Sequence, residues 1–82
     1  MADAPELFHR IAEEDSARAR RRAAELRLLG RLALRNVEFE SHRQALAAHG
    51  GLVTPALWDG ERLHSGLAAV LAALEAMAGG AP

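Results

Sequence analysis

The chain reads as an α/β domain, a mixed four-stranded sheet covered by three helices. Three observations lead there. Segments of two-residue and 3.6-residue hydrophobic period alternate along the chain. The front half runs strand, helix, strand, the order that closes a right-handed parallel pair. In the back half Asp59-Gly60 stands between the apolar run of residues 52–58 and a return strand over residues 61–64, a hairpin signal that implies an antiparallel pair.

Leu7, Phe8 and Ile11 follow Pro5 as a short apolar stretch flanked by acids. Its length fits either a first strand or the first turn of a helix. Asp15 and Ser16 are good N-cap residues before a proline-free segment rich in alanine, arginine and leucine. Ala19, Ala23, Leu26, Leu29 and Ala33 form one stripe and Arg20, Arg21, Arg27, Arg31 and Arg35 the opposite one, which predicts an amphipathic helix of about four to five turns. Gly30 lies on its apolar side, where it costs up to about 1 kcal/mol against alanine unless the helix ends or another backbone packs there. Asn36-Val37-Glu38-Phe39-Glu40-Ser41 alternates polar with apolar and predicts the second strand. The short helix of residues 42–49 is stopped by Gly50-Gly51 in the manner of a glycine cap. Leu52 to Trp58 is an apolar run interrupted by Pro55, which marks a strand start, an edge or a cis turn. Asp59-Gly60 then makes a two-residue turn into the return strand Glu61-Arg62-Leu63-His64. Ser65-Gly66 opens a last helix whose Leu67, Val70, Leu71, Leu74 and Met77 share a stripe. Residues 1–5 are expected to be a flexible N-terminus, 6–78 a single domain and 79–82 a flexible tail.

Composition narrows the chemistry. The chain has 82 residues, 50% hydrophobic and 26% charged, with net charge −1, enough for one small domain of marginal stability. It has no cysteine, which excludes a disulfide framework, a cysteine nucleophile and any oxidoreductase mechanism run on cysteine sulfur. The acidic N-terminus is not a secretory signal, and no apolar run approaches the ~20 residues a bilayer needs, so a cytoplasmic protein is expected. Charge is uneven. Residues 1–15 sum to −4, residues 16–35 to +6 and residues 36–82 to −3, and all ten basic residues are arginine.

Val53-Thr54-Pro55-Ala56-Leu57, followed by Asp59-Gly60-Glu61 and by Ser65-Gly66 at a helix start, resembles the second half of a thioredoxin-like domain of the glutaredoxin or glutathione-transferase N-terminal type. The resemblance covers residues 6–78 and implies the glutaredoxin-like version of the sheet and helices above. It further implies that Pro55 is cis, that Val53 and Thr54 offer backbone hydrogen bonds to a peptide-like thiol ligand, and that Ser65 and Gly66 form a helix start that receives a carboxylate. Such a helix start presents free amides and a positive dipole to an anion. The departure is at the front. Counted from Phe8, the two cysteine positions of the family fall on Glu13 and Ser16, so these are vestigial active-site positions and no residue is expected to be catalytic.

Each candidate has a plainer counterpart. Ser16 reads as an N-cap, and Glu13, Glu14 and Asp15 as acids that complement a helix dipole. The arginine face reads as solvated rather than as a nucleic-acid surface, because aromatics make up only 4% of the chain. His9, His42, His49 and His64 show no metal-ligand spacing, so no metal is expected. Trp58 is either an exposed binding aromatic or a cap over the sheet. The last helix also carries Ala68, Ala69, Ala72, Ala73, Ala76 and Ala78 with Glu75 its one charge. A small-residue face of that kind suits contact with another helix, which makes Leu67, Ala68, Val70, Leu71 and Ala72 candidates for an interface with a protein partner or a second copy. The functional expectation is a non-catalytic interaction module with no cofactor. Two alternatives stand beside it: a glutathione-binding or transferase-like protein that uses the thiol of its ligand, and a small helical, arginine-rich nucleic-acid binder.

Overall fold

The computed structural model describes residues 4–79. In chain order they form β1 (Glu6–His9), α1 (Glu14–Glu25), a single 3₁₀ turn (Leu29–Arg31), β2 (Ala33–Asn36), α2 (Glu40–Ala48), β3 (Ala56–Trp58), β4 (Leu63–Ser65) and α3 (Leu67–Gly79). The four strands make one mixed sheet in the order β2-β1-β3-β4. β1 and β2 are parallel, while β3 is antiparallel to both β1 and β4. The fold class is therefore α/β with three helices. The expected tail begins at Gly79, which instead closes α3; residues 80–82 and 1–3 lie outside the described residues. No described helix is long and apolar enough to cross a membrane.

Strand alternation divides the interior in two. Leu7 of β1 pairs with Leu57 of β3, and Phe8 with Ala56. Because successive side chains point to opposite faces, Leu7 and Leu57 join Ala19, Ala23, Val70, Ala73 and Leu74 under α1 and α3. Phe8 and Ala56 join Val37 and Leu46 under α2. Ser16, Ala19 and Ala23 of α1 are buried, as are Val70, Ala73 and Leu74 of α3. The small side chains among them let the two helices lie close over one face of the sheet.

Several boundaries correct the sequence reading. The first helix stops at Glu25, with Leu26 as its C-cap. Leu28 N–H donates to the Ala23 carbonyl at 2.8 Å and Arg27 N–H to the Ala24 carbonyl at 3.0 Å, the paired bonds of a Schellman motif. Arg27 takes the left-handed position there, at φ 60°. The chain is thereby freed to form β2 three residues earlier than the alternation of 36–41 indicates. Val37 and Phe39 instead flank a turn in which Asn36 Oδ1 accepts Glu38 N–H and the Asn36 carbonyl accepts Phe39 N–H. The N-cap of α1 is Glu13, and Ser16 lies inside the helix rather than capping it. Gly50-Gly51 does stop α2, by the same pair of bonds as at α1, to Ala47 and Leu46. β3 is only its last three residues, Ala56–Trp58. The Asp59-Gly60 turn is a four-residue loop, Asp59 to Arg62, held by Asp59 Oδ1 accepting Glu61 N–H at 2.8 Å and Arg62 N–H at 2.9 Å.

Candidate interaction site beside Pro55

β1 runs parallel to β2 and antiparallel to β3, so the C-terminal ends of β1 and β2 share one edge of the sheet with the N-terminal end of β3. Three connections meet at that edge: residues 10–13, residues 37–39 and residues 49–55. The Thr54–Pro55 peptide is cis, as the resemblance implies. Pro55 is buried. Its carbonyl accepts Gly66 N–H at 2.9 Å, which ties the start of α3 to this edge. Gly66, at φ 89°, receives Val70 N–H on its own carbonyl and so acts as the cap of α3. Its amide is thus already engaged. Ser65 is the exposed last residue of β4, opposite Ala56.

Two residues far apart in sequence, Glu13 and Thr54, close over this edge. Glu13 Oε1 accepts hydrogen bonds from the Ser16 hydroxyl and, at 2.8 Å, from the Thr54 hydroxyl. Ser16 Oγ in turn accepts Arg10 N–H at 3.1 Å. Ser16 is fully buried. An oxygen sealed in this way does not reach an incoming electrophile. The positions where the resemblance places cysteines therefore form a structural latch between α1 and the Pro55 loop.

Behind the latch lies His9, buried at the end of β1. The Arg20 guanidinium donates to His9 Nδ1 at 3.0 Å, to the Arg10 carbonyl at 3.0 Å and to the Ile11 carbonyl at 3.4 Å. Because arginine only donates, Nδ1 carries no proton. Burial, then the charge of Arg20 and then His42 push the His9 imidazolium to lower pKa, with Glu38 opposing. The ring is held neutral.

The same edge exposes apolar side chains. Leu52 is 92% and Val53 52% exposed, and Ile11 and Phe39, on the neighbouring connections, are exposed as well. Among the described residues, no hydrogen bond uses the main chain of residues 52–54. No pocket is present in the described residues, and no group of three or more His, Asp or Glu there is placed to hold a metal. The site is an open surface.

The candidates on the last helix separate. Val70 is fully buried in the chain's own interior, which corrects its assignment to an interface, and Leu67 and Leu71 pack partly against the same interior. Ala68 and Ala72 are exposed. Sequence reasoning passed over Ile11, Phe39 and Leu52, whose signal was an apolar residue placed in a connection rather than in an element. It also passed over a cluster on the α2 side. His49 stacks on Trp58 at 3.9 Å and 11°, and its Nε2 lies 2.9 Å from Glu6 Oε2. Glu6 Oε1 accepts from Arg35 Nε at 2.9 Å. Trp58 is thus a cap over the sheet.

No family model, curated protein or solved structure matches this chain.

Proposed function

We propose that the chain is a thioredoxin-like domain without cysteine chemistry that works as a protein-interaction module, receiving an extended segment of a partner protein beside Pro55. The element order and the sheet order β2-β1-β3-β4 support the fold reading. One observation carries the functional one: Leu52 and Val53 are exposed apolar residues, and the main chain of residues 52–54 is free of hydrogen bonds among the described residues. A segment laid along 52–54 gains main-chain hydrogen bonds and two apolar contacts at once, the ingredients of strand addition. The latch of Glu13, Ser16 and Thr54 holds that loop in place and leaves the module without a nucleophile.

Affinity capture with the intact chain and with the Leu52→Asp, Val53→Asp double variant tests the reading. A partner held by the first and lost by the second is expected, with Ala68→Asp retaining it. Retention by the double variant overturns the site. Glutathione titration separates the other ligand class, because amide shifts at Val53, Thr54 and Ser65 with free glutathione would replace the protein partner by the tripeptide.

A further inference from the structure

β2 ends the sheet on one side, and strand alternation decides which of its main-chain groups face outward. Ala33 N–H donates to the Pro5 carbonyl and Val37 N–H to the His9 carbonyl. Residues 33, 35 and 37 therefore turn toward β1, and residues 32, 34 and 36 turn away. The outward N–H groups of Leu34 and Asn36 and the outward carbonyls of Leu32 and Leu34 have no partner among the described residues. An open edge of this kind is a template for another strand.

The free groups are complementary to their own inverted copy. Turned about a two-fold axis through Leu34, two edges place Leu34 opposite itself and Asn36 opposite Leu32. Each Leu34 N–H then meets the other copy's Leu34 carbonyl, and each Asn36 N–H meets a Leu32 carbonyl. Every free group of the edge is used. A shift of two residues would instead ask for the Asn36 carbonyl, which already accepts Phe39 N–H and faces His42 Nδ1 at 3.1 Å.

Side chains agree with this register. Leu34 is 42% exposed, and on the axis the two leucines cover one another at about 5.5 Å between Cα atoms. Arg31 lies just before β2 and Glu38 just after it. Neither has an ion-pair partner among the described residues. In this register residue 31 of each copy falls opposite residue 37 of the other and residue 38 opposite residue 30, so the Arg31 end of each strand meets the Glu38 end of the other, whereas parallel pairing sets arginine end against arginine end. We infer that two copies of this chain pair antiparallel through β2, continuing one sheet across a two-fold axis. The Pro55 edge takes no part in the pairing.

Sedimentation of the intact chain from about 10 μM to about 1 mM covers the affinity range of a small interface. The mass is expected to rise toward twice 8.8 kDa, with slowed amide exchange at Leu34 and Asn36 in the dimer. Leu34→Lys sets like charges on the axis and is expected to weaken the dimer at least about tenfold. Arg31→Glu is expected to weaken it and Arg31→Glu with Glu38→Arg to restore it. These two variants alter only exposed side chains, so they decide the matter should Leu34→Lys fail to fold. A monomer throughout the range overturns the inference, as does a dimer indifferent to the charge reversal.

Discussion

The two faces of the sheet are filled by different means. Under α1 and α3 the interior is aliphatic, with Leu7, Leu28, Leu57, Val70 and Leu74 around the alanines of α1. Under α2 the aliphatic residues are fewer, and a layer of rings and charges completes the cover: Phe8, His49 stacked on Trp58, and Glu6 between His49 and Arg35. The reason is geometric. Two helices span one face, whereas the nine residues of α2 leave the β3 side of the other face to be covered by the residue that follows the helix. Close aliphatic packing is sensitive to loss of volume. The ring layer depends on direction and on a tethered carboxylate.

Leu57→Ala tests the aliphatic side most severely. Removing a fully buried leucine costs about 3 kcal/mol, a large part of what an 82-residue domain has available, and urea titration by far-ultraviolet circular dichroism is expected to show a greatly lowered midpoint. Gly51→Ala attacks the α2 side by crowding. A Cβ there would run into the Leu46 side chain and lie 2.7 Å from Leu63 Cδ2, so a loss of about 2 kcal/mol is expected in thermal melts. His49→Ala removes one ring from the stack and is expected to cost about 1 kcal/mol, with the near-ultraviolet signal of Trp58 altered. Should His49→Ala cost as much as Leu57→Ala, the contrast between the two faces fails.

Acidity gives a gentler probe. His9 is held below its ordinary 6.5 in the fold, so the unfolded chain binds the proton more readily. Its contribution is complete above pH 6.5 and is lost as the pH falls toward the lower folded value. Asp59, hydrogen-bonded by His64 and by the Arg62 and Glu61 amides, is pulled from 3.8 to about 2. That contribution is present above pH 3.8 and is lost as the pH falls toward 2. Stability measured against pH is expected to decline in both windows. His9→Gln is expected to flatten the first and Asp59→Asn the second, each leaving the other in place.

Helix ends show how far the sequence could be read. α1 and α2 stop by the same pair of hydrogen bonds, yet α2 places Gly50, at φ 86°, in the left-handed position and α1 places Arg27 there. Glycine announces such a stop and arginine does not, because arginine ordinarily pays a steric penalty at positive φ. The misplaced second strand follows from that one residue. Asn36, a good turn former, carried the correction, but the alternation of Val37 and Phe39 outweighed it. Within the site Pro55 was legible because proline restricts the chain wherever it stands. The latch was not, since it joins Glu13 to Thr54 across 41 positions and neither residue type signals the other.

The bareness of the loop ahead of Pro55 makes it the natural point of severance. With Leu52 and Val53 exposed and their main chain unengaged, a broad-specificity protease has access there. A cut after residue 52 divides the described chain into 4–52, which keeps β1, α1, β2 and α2, and 53–79, which keeps β3, β4 and α3. Leu7 and Phe8 stay with the first piece and Leu57 and Ala56 with the second, so each fragment bears a raw half of both interiors. The nicked halves should cling together and could be expressed apart and reunited, a split pair ready for complementation.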